Sequence, residues 1–393
     1  MEAIKKPKRR FSGYNEVWVQ RKFGDVGSVS MCKRIFKEET TDEGDIPFFK
    51  IGTFGGVPDA YISRNLFEDY KAKYPYPNKG DILLSASGTI GRMVEYNGEE
   101  AYFQDSNIVW LSHDQSIDNR FLKVLYGIVK WDGIEGSTIQ RLYNDNFLKT
   151  KFQMPSKEEQ EKIGGYFANL DNLIALHQRK YEKLQSLKKA YLSEMFPLPG
   201  EKRPRRRFAG FTGDWEQRKL GDVGKEKLSN GIMNNQSDEP TEVKHINVIN
   251  MYSPDRIHVD ELTYSLYSDE DVEKCNVEYG DIFMTRSSLK PEGIAEANVL
   301  LDKGKYVYDD HLIRLKVDTS VYDPMFVKIN LGNSLIKSQF IKKSKTTAFT
   351  TIGQDDIASC EGMFPKYDEQ KQIGEFFIGI DNLIALHQRK YLR

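Results

Sequence analysis

The chain has 393 residues, a formal net charge of −1, 39% hydrophobic residues and 29% charged residues. This length predicts two or three domains, each with a core of its own, and the balanced charge argues against a general nucleic-acid coat protein, which should be basic overall. No apolar run approaches membrane-spanning length, and the basic N-terminal segment has no apolar stretch behind it, so neither a membrane protein nor a secreted protein is expected.

The three cysteines, Cys32, Cys275 and Cys360, are scattered along the chain and odd in number. They do not have the pattern of a disulfide framework, and none has a second cysteine or a histidine at zinc-binding spacing. We therefore expect a protein of the reducing cytoplasm that binds no metal through these residues.

The first predicted domain covers residues 1–155 and mixes strands with helices. Residues 80–96 have the pattern of a strand, a glycine and serine turn and a second strand, and residues 106–111 are a further strand candidate. Residues 121–131 have helical spacing. These elements predict an α+β domain.

A long helix is predicted at residues 156–197. Ser156 and Glu159 have the spacing of a capping box directly after a proline, and the next proline is Pro197. Apolar and aromatic residues recur along this stretch at alternating steps of four and three, which is the seam of a coiled coil. The seam comprises Ile163, Phe167, Leu170, Ile174, His177 and Tyr181.

The second half of the chain repeats the first. Residues 381–391 are identical to residues 171–181 (DNLIALHQRKY), and residues 215–224 closely match residues 18–27. Further matches follow in the same order in both halves, so we predict two copies of one fold.

The repeat predicts a second α+β domain at residues 198–366 and a second, shorter helix at residues 367–393. Tandem copies are naturally related by a pseudo-twofold axis, so the two helices are predicted to pair antiparallel and to separate the two domains. The alternative is that each helix packs back on its own domain, and the near-identity of the two seams favours pairing. The second seam comprises Ile373, Phe377, Ile380, Ile384, His387 and Tyr391.

The sequence offers no catalytic site that can be assembled from motifs. It contains no Walker loop, no dinucleotide-binding fingerprint after a strand and no Asn/Asp-Pro-Pro-Tyr tetrapeptide of the adenine methyltransferases. The six histidines do not form a spaced metal cluster. His177 and His387 lie on the two seams, where a polar residue that sets the helix register is favoured over a metal ligand. We therefore expect a chain that is not an enzyme.

Polar loops recur at matched places in both halves, and they combine hydroxyls, amides and arginines. Hydroxyl groups suit DNA phosphates, whereas glutamine and arginine suit base edges. We therefore predict DNA-binding residues in these loops and in the two divergent stretches where the halves differ, between Gly27 and Gly80 and between Gly224 and Gly280. They are Lys50, Thr53, Arg64, Ser87, Thr89, Arg92, Thr138, Gln140, Arg141, His245, Asn247, Arg286, Ser287, Ser288, Lys290, Thr346, Thr347 and Thr350.

A basic run precedes each repeat unit, and two interpretations of these runs remain open. They contact DNA phosphates, or they are solvated linkers beside the helices. The runs comprise Lys5, Lys6, Lys8, Arg9 and Arg10, and then Lys202, Arg203, Arg205, Arg206 and Arg207.

The opening and closing motifs of the repeat resemble a known family. Trp-x-Gln-Arg-Lys-Leu-Gly-Asp-Val at residues 215–223 opens a unit, and Pro-x-x-x-Glu-Gln-x-x-Ile, followed by Leu-Asp and His-Gln-Arg-Lys, closes the unit at residues 155–180. Both occur twice. This pattern closely resembles the specificity subunit of type I restriction-modification systems, and the likeness covers essentially the full chain.

The resemblance implies two target-recognition domains that each read one half of a bipartite site in double-stranded DNA. Two antiparallel helices would set the spacing and dock methyltransferase subunits, and the restriction and translocase subunits would join through the complex. The chain itself would bind no cofactor, because S-adenosylmethionine, ATP and magnesium belong to the partner subunits. The short second helix is a departure from the family pattern. Two other functions remain as alternatives: a coiled-coil scaffold that never contacts DNA, and a stand-alone DNA-modifying enzyme with a divergent site.

Overall fold

The computed structural model of the chain describes residues 7, 9–134, 136 and 140–392. The chain divides into two compact units, Met1–Ile174 and Ala175–Arg393, and the boundary falls within one long helix. None of the helices in the described ranges combines the length and the apolar character that crossing a membrane requires.

The first unit is an α+β domain followed by the first half of the long helix. Its four-stranded sheet has the order β2-β8-β5-β6, a three-stranded sheet has the order β4-β3-β7, and β1 pairs with β9. The strands are β1 (Val19–Lys22), β2 (Gly27–Ser30), β3 (Ile46–Phe49), β4 (Tyr61–Ile62), β5 (Ile82–Ser85), β6 (Met93–Glu95), β7 (Tyr102–Phe103), β8 (Ile108–His113) and β9 (Lys151–Met154). The helices are α1 (Arg64–Lys73), α2 (Asn119–Ile128), α3 (Asn144–Lys149) and α4 (Lys157–Glu194). The strands predicted within residues 80–96 and 106–111 and the helix predicted near 121–131 are confirmed by β5, β6, β8 and α2.

The second unit repeats this arrangement after the end of α4. Its sheets have the orders β11-β19-β15-β17, β12-β14-β13-β18 and β16-β21-β20, and β10 pairs with β22. The strands are β10 (Glu216–Lys219), β11 (Ser229–Asn230), β12 (Gln236–Ser237), β13 (Val243–Ile246), β14 (Thr263–Ser265), β15 (Ile282–Thr285), β16 (Ser287–Ser288), β17 (Ala297–Val299), β18 (Lys305–Tyr308), β19 (Leu312–Leu315), β20 (Lys345–Thr346), β21 (Thr350–Thr351) and β22 (Glu361–Phe364). The helices are α5 (Asp269–Cys275), α6 (Pro324–Leu331), α7 (Ser334–Lys343), α8 (Gln354–Ala358) and α9 (Tyr367–Leu392).

The central strand of each domain is buried on both faces. In β5, Ile82 and Leu84 pack into the core that includes α2, whereas Leu83 packs into the core that includes α1. Successive strand residues point to opposite faces, so three adjacent apolar residues supply two cores. In β15, Ile282 and Phe283 divide between the two cores of the second unit in the same way.

The motif that opens each repeat forms a strand that pairs with the last strand of the same domain. Strand β1 pairs antiparallel with β9, and β10 pairs antiparallel with β22, so the start of each repeat lies beside the strand that precedes its long helix. Backbone hydrogen bonds extend both ladders, from Phe23 N to the Thr150 carbonyl (3.2 Å) and from Leu220 N to the Cys360 carbonyl (2.8 Å). The repeated opening motif therefore completes the same strand pair in each domain.

An arginine of each basic run holds the start of a long helix. Arg10 Nε and Nη2 donate to the Glu159 carboxylate at 2.7 and 2.6 Å, and Arg207 binds Glu369 in the same way at 2.6 and 2.7 Å. In both pairs the arginine side chain is 16% exposed and the glutamate side chain 1% exposed. These two residues are therefore structural, which neither interpretation of the basic runs anticipated. The pairs Arg10–Glu159 and Arg207–Glu369 are called the arginine latches below.

The capping box predicted at Ser156 is only half formed. Ser156 Oγ accepts from Glu159 N at 3.4 Å, but the Glu159 side chain binds Arg10 rather than turning back to the Ser156 backbone. The next residue, Gln160, completes the attachment, because its side chain accepts from Asp118 N at 2.9 Å and donates to the Pro155 carbonyl at 3.1 Å. The equivalent glutamine of the second unit makes the equivalent two bonds, accepting from Asp323 N at 3.1 Å and donating to the Pro365 carbonyl at 2.9 Å. The repeated Glu-Gln pair thus docks each helix on its own domain.

Helices α4 and α9 pair antiparallel within the second unit, as the sequence predicted. His177 Nδ1 lies 2.9 Å from His387 Nδ1, and Lys188 Nζ lies 2.5 Å from the Asp381 carboxylate. Partner positions therefore rise along α4 as they fall along α9. The described part of α4 begins at Lys157 and ends at Glu194, and α9 begins at Tyr367, within a residue or two of the predicted starts.

The predicted seam residues serve two purposes. Ile163 packs on the core of the first unit, and Ile373, Phe377 and Ile380 are buried in the core of the second, with Ile384 partly buried against it. His177 and His387 form the interhelix contact already described. Phe167 and Ile174 are 43% and 40% exposed, Leu170 and Tyr181 are half-buried, and the side chain of Tyr391 lies outside the described residues. The helix starts thus pack on their own domains, and the stretches beyond them pair.

The histidine pair predicts a pH dependence of helix pairing. Burial, followed by the charges of His177, Lys180 and Lys390, lowers the pKa of His387 below its ordinary value of 6.5. The folded pair keeps His387 neutral, whereas the unfolded chain takes up a proton first as the pH falls. The free energy of unfolding of the second unit should therefore include a contribution that is present above pH 6.5 and is lost as the pH falls below it. Urea unfolding at pH 7.5 and 5.5 measures the difference, and the double variant His177→Asn, His387→Asn should lack this contribution. An equal pH dependence in the variant would contradict the assignment.

Candidate nucleic-acid interface

Two polar loops that are distant in sequence meet in the first unit. Gly88 N donates to the Gln140 carbonyl at 2.9 Å, and Leu142 N donates to the Ala86 carbonyl at 2.8 Å. Between these two bonds, Ser87 forms an antiparallel bridge with Arg141. The polar turn after β5 and the polar segment before α3 therefore form one surface.

The second unit brings the equivalent loops together with the same geometry. Ile352 N donates to the Arg286 carbonyl at 3.0 Å, and β16 pairs antiparallel with β21, with Ser287 opposite Thr351 and Ser288 opposite Thr350. Strand β20 adds a third strand on the far side of β21. Each copy thus has one juxtaposed loop pair, built on the same scaffold with different side chains.

One hydroxyl in each loop shapes the turn. Ser85 Oγ accepts from Arg92 N at 2.8 Å and donates to the Thr89 carbonyl at 2.6 Å. Thr285 Oγ1, at the same place in the second copy, accepts from Glu296 N at 3.0 Å. Both hydroxyls are in buried residues, so the repeated Ser/Thr at this position is explained by the fold.

Most of the predicted loop residues are on the surface, and three are not. Ser87, Thr350 and His245 are buried, with exposures of 5%, 0% and 0%, so their side chains do not reach a DNA surface in this conformation. They are corrections to the sequence prediction, which had no means of telling inward from outward polar residues in a loop. The exposed predicted loop residues are Thr89, Arg92, Gln140, Arg141, Arg286, Lys290, Thr346 and Thr347, whereas Ser287 and Ser288 are half-buried and Thr138 lies outside the described residues.

Only some of the predicted residues from the divergent stretch of the first unit lie beside the loop pair. Arg92 Nη1 donates to the Phe54 carbonyl at 3.0 Å, which places the turn containing Thr53 beside the loop pair. Lys50 and Arg64 are instead in exposed ion pairs with Asp59 (2.9 Å) and Glu100 (3.1 Å). Exposed pairs of this kind contribute little to stability.

The divergent stretch of the second unit contains a polar network around the buried His245. His245 Nδ1 lies 2.8 Å from Asn234 Oδ1, and the Asn234 amide donates to Asn247 Oδ1 at 3.1 Å. Asn247 in turn donates to Thr263 Oγ1 at 2.8 Å. Burial lowers the pKa of His245, so the imidazole is neutral and its role is to position Asn234 rather than to bind a phosphate.

Comparison with known proteins identifies the family to which this repeated architecture belongs. The model of the type I restriction modification DNA specificity domain matches residues 15–186 and again residues 212–392. The chain belongs to this family. A putative type I restriction enzyme specificity subunit of Haemophilus influenzae is 52% identical over 176 residues, which are 42% of this chain and 46% of that protein, so the match spans about half the length of that relative. The putative MjaX specificity subunit of Methanocaldococcus jannaschii is 22% identical over 400 residues, covering 95% of this chain and 89% of that protein.

A solved structure shares the fold of this chain. The crystal structure of the S subunit of the type I restriction-modification system from M. genitalium superposes with a TM-score of 0.57 at 13% identity and covers 98% of this chain and 94% of that one. The predicted α+β class, with two similar domains and long helices, is confirmed. A DNA specificity domain in two copies also agrees with the loop pair found in each unit.

Helices α4 and α9 have exposed leucines at identical positions of the repeat. Leu173 and Leu176 on α4 are 51% and 44% exposed, and Leu383 and Leu386 on α9 are 46% and 45% exposed. These leucines are the same residues of the eleven-residue repeat. Exposed leucines that recur at the same spacing on both helices are a candidate interaction surface.

Proposed function

We propose that this chain is the non-catalytic DNA-reading subunit of a type I complex and that each unit reads one half of a bipartite site in double-stranded DNA. The observation that carries the proposal is the pair of juxtaposed polar loops, which occurs once per unit on a shared scaffold. The first loop pair presents Thr89, Gln140 and Arg141, and the second presents Arg286 and Lys290. Glutamine pairs with adenine, whereas arginine and lysine both pair with guanine, so Gln140 of the first loop pair should make the two half-sites differ in sequence.

The proposal also assigns the partners. The repeated leucine surface would dock methyltransferase subunits, one for each copy, and the restriction and translocase subunits would join through that complex. S-adenosylmethionine, ATP and magnesium would be bound by those partners, and the complex would act in the cytoplasm. Helices α4 and α9 would set the number of base pairs between the half-sites, as paired binding units do in other DNA-binding proteins.

The test uses a bacterial host that carries this chain together with its methyltransferase subunits. Single-molecule sequencing of methylated bases should recover one bipartite motif with an unread spacer. The variant Arg141→Ala should relax the specificity of one half-site, and Arg286→Ala should relax the other, each by about 1–3 kcal/mol at the base it reads. Arg21→Ala and Arg218→Ala remove exposed arginines of β1 and β10 and serve as controls, which should leave the motif unchanged.

Two outcomes would contradict the proposal. One is a methylated motif that is a single short unbroken sequence. The other is a pair of variants, Arg141→Ala and Arg286→Ala, that alter the same half-site. A titration of random duplex DNA at two salt concentrations gives a simpler control, since binding through phosphates must weaken as salt rises.

A further inference from the structure

The hairpin β20–β21 of the second unit has an apolar tip on the DNA-reading surface. All five residues from Lys345 to Phe349 are exposed, and the turn is closed by a hydrogen bond from Thr347 N to the Phe349 carbonyl at 3.0 Å. Phe349 is 53% exposed. A phenylalanine at the tip of a hairpin contributes little to the core, so its presence needs another explanation.

A second apolar side chain lies at the same tip. Ser288 is paired with Thr350 across β16 and β21, which run antiparallel. Leu289 follows Ser288 and Phe349 precedes Thr350, so each lies one residue beyond this last pair, at the same end of the ladder. Leu289 is 81% exposed. The two residues together form an apolar projection, called the Phe349 tip below.

Exposed cations flank both segments of the Phe349 tip in the sequence. Lys345 starts the hairpin and Lys290 follows Leu289, and both are exposed, as is Arg286 at the start of the paired segment. Cations beside a projecting apolar pair suit DNA, in which phosphates flank the stacked bases. An apolar protein surface would offer these three cations no counter-charge.

The tip belongs to the second unit. The Ser85 hydroxyl closes a turn to Arg92, seven residues away, whereas the Thr285 hydroxyl closes its turn to Glu296, eleven residues away. Leu289 lies within this longer turn. The two units therefore differ in the shape of their reading surfaces as well as in their polar side chains.

We infer that Phe349, supported by Leu289, is an apolar wedge that enters a base step of the second half-site and partly unstacks it. This inference rests on the proposed function, because it needs the second unit to contact DNA. The lysines on either side hold the neighbouring phosphates, and the aromatic ring stacks against the separated base. The second unit would then recognise part of its half-site through the deformability of the DNA, and flexible pyrimidine–purine steps would be favoured at that position.

The experiment uses the full chain assembled with its methyltransferase subunits and a duplex carrying the motif found by methylation sequencing. 2-Aminopurine replaces one base at a time in the second half-site, excluding the methylated base, since that base is extruded by the methyltransferase itself. The wild-type complex should raise 2-aminopurine fluorescence at one base step. Phe349→Ala should abolish that rise and weaken binding about tenfold, and Phe349→Trp should retain both.

Val321→Ala removes a side chain of similar exposure (49%) elsewhere in the second unit and should change neither measurement. The wedge inference is wrong if the wild-type complex binds its target but 2-aminopurine fluorescence rises at no position other than the methylated base. It is also wrong if Phe349→Ala retains both the rise and the affinity. A wild-type complex that shows no salt-dependent DNA binding would instead overturn the proposed function. Circular dichroism of each variant confirms that the hairpin change leaves the fold intact.

Discussion

Replacing Arg207 with alanine is expected to lower the free energy of unfolding of the second unit by about 3–5 kcal/mol. The substitution leaves the Glu369 carboxylate, which is 1% exposed, without its bidentate partner. An uncompensated buried charge is among the most destabilising single changes that a protein can undergo. The start of α9 should therefore detach from its domain before the rest of the unit unfolds. Urea unfolding followed by peptide-resolved hydrogen exchange reports each unit separately.

The same basic run supplies a matched control. Arg205 is 67% exposed, and its nearest carboxylate, on Glu201, lies 4.0 Å away. Arg205→Ala removes an equal charge and should change stability by less than about 1 kcal/mol. Equal effects of Arg205→Ala and Arg207→Ala would show that the run acts through charge alone and would remove the basis for the arginine latches.

The two latches should differ in strength. In the first unit, Trp18 Nε1 also donates to Glu159 at 3.1 Å, so Arg10→Ala leaves the carboxylate one donor. The equivalent indole nitrogen, on Trp215, is buried and has no hydrogen-bond partner among the described residues. Arg10→Ala should therefore cost less than Arg207→Ala. The reverse order would contradict this account of the glutamate environment.

The sequence predicted the secondary structure and domain organisation of this protein because both are repeated. The long helix, its antiparallel partner and the α+β domains follow from periodicity and from motifs that occur twice, and a structural requirement common to both units keeps those motifs alike. The closing strands show this directly, since residues 18–27 and 215–224 match because β1 and β10 occupy the same place in each ladder.

The sequence did not predict which face a residue takes or which partner it finds. Ile373, Phe377 and Ile380 have the spacing of a helix pair, but apolar spacing is the same whether the helix packs on another helix or on its own domain. Arg10 lies in a run of cations, and nothing in that run distinguishes the member that reaches a buried carboxylate about 150 positions later. His245 lies among polar residues, yet it is fully buried. These are long-range tertiary contacts, and local sequence patterns do not predict them.

The second large effect is expected at Arg314, which is the centre of a buried charge cluster in the second unit. Its guanidinium is 4% exposed, contacts the Glu226 carboxylate, donates to the Asn276 carbonyl at 2.8 Å and lies 3.6 Å from the carboxylate of Asp281. Strand pairing shows that Trp110 occupies this place in the first unit, because Leu83 is opposite Trp110 and Phe283 is opposite Arg314. One unit therefore fills the position with an indole and the other with a paired cation.

Arg314→Ala is expected to lower the free energy of unfolding of the second unit by about 3–5 kcal/mol at pH 7, because it leaves Asp281 buried without its cation. Burial already raises the pKa of Asp281 from its ordinary value of 3.8 to about 6, while Arg314 and Lys316 act to lower it. The folded state therefore holds a proton on Asp281 at pH values where the unfolded chain has released it. Stability contributed by this group consequently falls as the pH rises from 3.8 through about 6.

Removing Arg314 should raise the pKa of Asp281 further, so the stability contributed by Asp281 should go on falling to higher pH. The variant should thus lose more stability than the wild type between pH 5 and pH 8, as measured by urea unfolding at the two pH values. The double variant Arg314→Ala, Asp281→Asn cannot ionise at this position and should lose the added pH dependence, even if the cavity left by the guanidinium keeps it less stable than the wild type. Arg218→Ala, which removes an arginine that is 50% exposed in the same unit, should leave both the stability and its pH dependence close to those of the wild type. A pH dependence unchanged by Arg314→Ala would mean that the cluster is held by its backbone hydrogen bonds rather than by its charges.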